Sequence, residues 1–299
     1  MASFRSWIRA ARLRTLPLAL SSIAMGGVVA SQYPGFRLQV VMMAALTTLF
    51  LQILSNLAND YGDSFSGIDN DRRVGPRRTV QSGEISSGAM KAAIAVFSVL
   101  SLASGLILIF HSASLDASAA VLFILMGLGA IAAAIKYTIG RNPYGYQGLG
   151  DLFVFLFFGL LAVGGTFYLA TGQWHPIVLL PASAMGLLST GVLNLNNMRD
   201  IDNDRMSQKN TMVVKLGLKK AFIYHCMLVL LPFVLLTIWL ILTGAGIQAY
   251  LFLLVLPLFI VDLVTIAQIK GGARLDPFLR KLALKTLLLT LLFGIFLNL

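Results

Sequence analysis

Residues 38–63 read LQVVMMAALTTLFLQILSNLANDYGD, an apolar run with no charge as far as Asn59, followed at once by Asp60 and Asp63. A helix needs about 20 consecutive apolar residues to cross the hydrocarbon core of a bilayer, and Leu38 to Asn59 meets that length. Thr15 to Phe36 is also uncharged, and so is Leu152 to Met198, which is long enough for two spans. Of the 299 residues 58% are hydrophobic and 12% charged, with a mean hydropathy of +0.84. Soluble domains carry about 25% charged residues. The chain is therefore read as an all-α integral membrane protein, a single transmembrane domain over 1–299. Its first apolar run follows Arg5, Arg9, Arg12 and Arg14, as the core of a signal peptide would. It is too long for that role and further spans follow, so it is read as a retained helix.

Charges and Gly/Pro breaks divide the chain into nine expected spans: 15–33, 38–60, 91–110, 116–135, 151–170, 176–198, 219–243, 248–269 and 279–298. Counting the connections alternately places every one of the 23 Lys and Arg except Arg37 on the same side. By the positive-inside rule that side is cytoplasmic. The N-terminus is then inside and, after nine spans, the C-terminus outside. This distribution assigns the net charge of +11 to topology and anionic lipid rather than to nucleic acid. The single cysteine, Cys226, excludes an internal disulfide. His111, His175 and His225 share no ligand spacing and read as interfacial.

The acids are distributed differently. Seven of the 12 Asp and Glu fall in two segments, Asn56-Leu-Ala-Asn59-Asp60-Tyr-Gly-Asp63 running on to Asp69 and Asp71, and Asn194-Leu-Asn196-Asn197-Met-Arg199-Asp200-Ile-Asp202-Asn-Asp204. Both lie at the cytoplasmic ends of even-numbered spans. Asn56, Asn59, Asp60 and Asp63 share a helical face, and so do Asn196, Asp200 and Asp204. Each helix thus presents a column of hard oxygen ligands at the membrane interface. Carboxylates so placed repel one another and need a counter-ion. Mg²⁺ fits, because it takes carboxylate oxygens and bridges to substrate phosphates. The surrounding Lys and Arg repel a free cation but attract a metal–diphosphate complex. A transporter would carry its acids near the bilayer midplane instead.

Asn59-Asp60-Tyr-Gly-Asp63 and Asp200-Ile-Asp-Asn-Asp204 resemble the two signatures of the UbiA superfamily of intramembrane prenyltransferases. Four stretches resemble its 1,4-dihydroxy-2-naphthoate polyprenyltransferase branch, which serves menaquinone synthesis. They are Arg14-Thr-Leu-Pro-Leu-Ala, residues 51–63, Arg141-Asn-Pro-Tyr-Gly-Tyr-Gln-Gly-Leu-Gly-Asp151, and residues 193–200 running on to Lys209-Asn-Thr211. One departure from the general superfamily pattern is that position 67 is glycine and the next acid after Asp63 is Asp69.

The resemblance implies transfer of a polyprenyl group from polyprenyl diphosphate to dihydroxynaphthoate with loss of CO₂, in a bacterial inner membrane, with the site facing the cytoplasm. Other acceptors, namely 4-hydroxybenzoate, homogentisate or haem, stay open on the residues alone. Asp60, Asp63, Asp69, Asp200 and Asp204 are the expected Mg²⁺ ligands, with Asn56, Asn59, Asn196 and Asn197 beside them on the substrate. Lys136, Arg141, Lys209 and one of Arg73 or Arg78 are expected on diphosphate oxygens, with Lys136 the catalytic one. Tyr137, Tyr144 and Tyr146 are expected to face the prenyl cation, an attraction of ~0.5–2 kcal/mol per ring. Asp262, inside the eighth expected span, is expected to pair with a nearby Lys or Arg. Asp151 is expected either to cap its helix or to face the substrate.

Overall fold

The computed structural model describes residues 2–66, 74–75, 78–112, 115–269 and 271–299, and among them every regular element is a helix. A short amphipathic helix, α1 (Phe4–Ala11), precedes the first span. It ends at Arg12, whose φ of 48° is left-handed, and a three-residue turn leads into α2 (Leu16–Ala30). Then follow α3 (Leu38–Phe65), α4 (Ser87–His111) and α5 (Ala117–Lys136). The next span, Gly150–Thr171, is composite: α6 (Gly150–Val154), a π-helical stretch Phe155–Gly165, and α7 (Thr166–Thr171). After it come α8 (Leu179–Arg199), α9 (Ile201–Met206), α10 (Met212–Thr243), α11 (Leu256–Ala267) and α12 (Asp276–Leu297).

Eight stretches among the described residues are long and apolar enough to cross a membrane. They match the first eight expected spans to within a few residues, apart from the first and seventh, which begin earlier. The ninth expected span coincides with α12, whose first three turns carry Asp276, Arg280, Lys281 and Lys285. The first begins earlier because α1 adds an amphipathic turn pair that hydropathy alone does not register. The seventh begins at Met212 and breaks at Gly217, whose φ of 74° is open to glycine. The bundle is apolar outside as well as inside. Phe110, Ile247 and Leu254 are each more than 70% exposed, and α5 buries none of its residues, as lipid-facing helices do.

One half of the bundle, α8 and α10 to α12 with residues 247–255, holds an aromatic cluster in which Phe233, Trp239, Phe252, Phe259 and Phe293 meet stacked, edge to face or tilted. His225 is buried in this half at 1% exposure, so it is a core residue and not interfacial. Asp262 pairs with Lys285 at 2.5 Å and Lys281 at 4.0 Å, as expected of a carboxylate inside a span. The other half, α2 to α5 with the composite span, encloses a cavity.

Candidate functional site

The cavity has a volume of about 350 Å³ and runs between α2, α3, α4, α5 and the composite span, walled by residues such as Ile23, Leu106, Phe123, Phe157 and Leu161. Its polar lining gathers at one end, where Gln52, Asn56, Asn59, Tyr137 and Tyr144 stand beside the two acid-bearing helix ends. α3 delivers the first of these ends unbroken, and Asp60 and Asp63 are buried. α8 delivers the second. It stops at Arg199, yet the i to i−4 pattern persists across the bend: the Asp200 amide donates to Asn196 and the Asp204 amide to Asp200, at 3.1 and 2.9 Å. The acid column therefore survives the helix break.

Each acid already has a donor. Arg78 Nη2 donates to Asp63 Oδ2 at 2.7 Å, and the Tyr146 hydroxyl to Asp63 Oδ1 at 2.9 Å. Arg199 grips Asp200 with Nε and Nη2, at 2.9 and 2.6 Å, and also donates to Asn196 Oδ1. Its remaining arm reaches Asp276, which Arg14 approaches from the other side at 3.3 Å. Lys209 Nζ stands 3.8 Å from Asp204 and 5.5 Å from the centre of the Tyr146 ring. Tyr146 thus links the first column to the second. Tyr137 lies between them as well: burial, with Asp63, Asp151 and Asp204 close by, pushes its hydroxyl above the usual tyrosine range. Burial raises Tyr144 in the same way.

Gly62 makes this convergence possible, because any Cβ there would lie 2.7 Å from the carbonyl oxygen of Thr138. Thr138 Oγ1 in turn donates to the Ala58 carbonyl, fastening the segment after α5 onto α3.

The sequence of this chain matches the UbiA prenyltransferase family over residues 19–296. The chain belongs to that family. Among curated relatives of this UbiA-family chain, the 1,4-dihydroxy-2-naphthoate octaprenyltransferase of Escherichia coli (strain K12) is 42% identical over 296 residues, covering 98% of this chain and 96% of that protein. The 1,4-dihydroxy-2-naphthoate octaprenyltransferase of Haemophilus influenzae is 40% identical, covering 97% and 95%. Among solved structures, the apo UbiA homolog from Aeropyrum pernix K1 superposes with a TM-score of 0.69 at 19% identity, over 94% of this chain and 96% of that one. The Archaeoglobus fulgidus UbiA homolog bound to GPP and Mg²⁺ gives 0.63 at 19%, over 98% and 100%. These two show the UbiA fold.

The remaining expected residues are placed as follows. Asn59 lines the cavity and accepts from Thr138 Oγ1 at 3.3 Å. Tyr144 lines it too, stacked on Phe153 at 4.1 Å with its hydroxyl on the Ala133 carbonyl. Asn56 donates to the Ala11 carbonyl and to Thr15, so its amide closes the turn between α1 and α2. Asn197 is buried, with Oδ1 lacking any donor. Asp60 is expected on Mg²⁺, and its oxygens are engaged by the chain itself. Oδ2 accepts from the amide and hydroxyl of Thr79 and Oδ1 from the amide of Val80, so both oxygens hold the 79–80 segment.

Lys136 and Arg141 are the two residues of the segment after α5 expected on diphosphate oxygens. Both are exposed, and neither joins an ion pair or hydrogen bond among the described residues. Tyr137 follows the last residue of α5 in right-handed helical geometry and turns inward; Lys136, about 100° round the same helix, turns out. Asp69 and Arg73 lie outside the described residues. Asp276 carries no motif, and the spacing of the sequence does not reveal that Arg14 and Arg199 converge on it. Arg12 lies close enough to Tyr137 to ease its ionisation.

Among the described residues no three His, Cys, Asp or Glu side chains form a ready-made metal cage. The donor set nevertheless fits Mg²⁺ brought with a diphosphate. Mg²⁺ keeps waters and binds through one or two carboxylates plus phosphate oxygens, and Asp63, Asp200 and Asp204 stand beside guanidinium and ammonium groups that a diphosphate would engage.

Proposed function

We propose that this chain transfers a polyprenyl group from polyprenyl diphosphate to 1,4-dihydroxy-2-naphthoate, with loss of CO₂, giving demethylmenaquinol. The observation that carries the reading is the near-full-length likeness, at 40% identity or above, to two proteins named as octaprenyltransferases for that acceptor. The site's chemistry agrees with it. An apolar cavity suits an isoprenoid tail, and its polar end suits a diphosphate.

The proposed division of labour is as follows. Asp63, Asp200 and Asp204, with Asn59 and Asp69, would hold Mg²⁺, which when bound would supply positive charge opposite the charge that gathers on the leaving diphosphate. Arg78, Arg199 and Lys209 exchange part of their carboxylate contact for diphosphate oxygens and stabilise the same charge. Arg73 extends this set. Tyr137 and Tyr144 face the allylic carbon as the C–O bond breaks, and the cavity keeps water from it. Asp60 keeps the 79–80 segment, and with it Arg78, in position. Asn56 and Asn196 shape the site through Thr15 and Arg199. Lys136 and Arg141 have topological roles only.

The chain spans a bacterial inner membrane nine times in this reading, with α12 as the ninth span. The N-terminus and the active site face the cytoplasm, and the C-terminus lies outside. Purified protein with Mg²⁺, a polyprenyl diphosphate and a panel of acceptors tests the proposal. Prenylation of dihydroxynaphthoate in preference to 4-hydroxybenzoate and homogentisate is expected. Preference for another acceptor, or full turnover in excess chelator, overturns it.

A further inference from the structure

Asp151 is a buried acid beside the polar end whose charge is met neither by a cation nor, unlike that of Asp60, by backbone amides among the described residues. It sits in the first turn of α6 at 8% exposure, and no Lys or Arg bears on it among the described residues. Tyr224 on α10 is the near polar neighbour of its carboxylate, and Oδ2 is buried without any donor. A lone carboxylate at this depth is costly, and such groups are commonly retained for function.

Two more unmet acceptors face the same junction. Asn194 Oδ1 and Asn197 Oδ1 are buried with no donor. Thr190, Asn194 and Asn197 share a face of α8 by i, i+4, i+7 spacing. Thr190 Oγ1 reaches the Asp151 carbonyl at 3.4 Å, and Asn194 Nδ2 reaches the Ala221 carbonyl, one turn before Tyr224, at 3.2 Å. That face is therefore turned toward α6 and α10. Leu193, beside it, and Gly150, before Asp151, both wall the apolar cavity. Acceptor oxygens buried without donors call for a ligand that brings O–H groups. The geometry points to a binding site for the aromatic acceptor between α6, α8 and α10, entered through its hydroxyl groups, with Asp151 as the catalytic base.

The inference rests on the dihydroxy-aromatic acceptor proposed above. In the step assigned to it, the hydroxyl O–H bond breaks and the proton passes to Asp151 Oδ2. The oxygen's electron pair moves into the ring, and the ring carbon bonds the allylic carbon. The allylic C–O pair leaves on the diphosphate. The C–CO₂⁻ bond then breaks, its pair restoring the aromatic ring, CO₂ departs, and Asp151 returns the proton to the ring oxygen.

The test uses the full-length protein in detergent with Mg²⁺ and one polyprenyl diphosphate. Two acceptors are compared: dihydroxynaphthoate and a ring-fluorinated analogue whose hydroxyl is already ionised at the assay pH. General-base catalysis contributes about 10²–10⁴-fold. Asp151→Asn should lower kcat on dihydroxynaphthoate by about 10²-fold or more, leave KM for the prenyl diphosphate unchanged, and lose about tenfold less on the ionised analogue. Tyr224→Phe, which removes only the hydroxyl neighbouring Asp151, should show a smaller loss with the same acceptor dependence. If Asp151→Asn does not elute as a folded protein, Tyr224→Phe decides alone. Equal losses on both acceptors, or wild-type kcat in Asp151→Asn, overturn the proposal. A wild-type protein that prenylates neither acceptor instead overturns the acceptor reading on which the proposal stands.

Discussion

The two acid-bearing helix ends have the same spacing and are held in different ways. Asn59-x-x-x-Asp63 sits on α3, which continues unbroken to Phe65, and is clamped from outside by residues 78–80 and by Tyr146. Asn196-x-x-x-Asp200 sits where α8 ends, and Arg199 from the same turn clamps it, anchored in turn by Asp276 and Arg14. The first end depends on a distant loop arriving. The second carries its own counter-ion and depends on α12 and the chain before α2. Identical motifs therefore bring the same ligand atoms to the site while drawing rigidity from opposite sides of the bundle.

The largest effects should fall equally on both ends. Asp63→Asn and Asp200→Asn should each cut turnover by about 10³-fold or more, since metal-linked charge stabilisation is worth several kcal/mol at ~1.4 kcal/mol per tenfold. Both variants should still elute as folded protein in detergent. Near-normal turnover in either would break the symmetry of the comparison.

Asp60 separates the ends at the next level. Asp60→Asn should destabilise the fold by about 1.5–3 kcal/mol, the worth of a buried hydrogen bond to a charged group. Its Mg²⁺ requirement per folded molecule should stay unchanged. A thermal melt in detergent and a Mg²⁺ titration of activity measure the two quantities. An altered Mg²⁺ requirement with a normal melting temperature would return Asp60 to the metal.

Asp276→Asn probes the second end alone. Arg199 keeps its grip on Asp200 but loses its outer anchor, so kcat/KM for the prenyl diphosphate should fall about tenfold, for about 1.4 kcal/mol. Asn59 variants should be indifferent to this change, as double-variant kinetics would show by simple additivity. The smallest effects belong to Lys136→Gln and Arg141→Gln, whose exposed charges are worth about 0–1 kcal/mol at most. Steady-state rates within about twofold of wild type are expected for both.

Much of this was legible before any coordinates. Uncharged runs located the spans because the bilayer imposes one length on every helix that crosses it. Acid columns were legible because carboxylates at membrane depth are rare and helical spacing fixes their face. What helical spacing cannot tell is which neighbour meets that face. Asp60 and Asp63 lie only about 60° apart around α3, yet the 79–80 segment takes one and Arg78 with Tyr146 takes the other. The pairing of Arg199 with Asp276 joins helices far apart in the chain, so no local pattern announces it. Lys136 illustrates the same limit: its neighbour Tyr137 lies near the acids, while its own side chain is exposed.

The most direct test of the proposed chemistry is a balance of products. Dihydroxynaphthoate carrying a labelled carboxyl group is incubated with the purified protein, Mg²⁺ and a polyprenyl diphosphate, and labelled CO₂ and diphosphate are counted together. Equal molar release of the two, abolished by chelator and by Asp63→Asn, is expected. Diphosphate release with the label retained on a prenylated product, or release that persists in chelator, would contradict it.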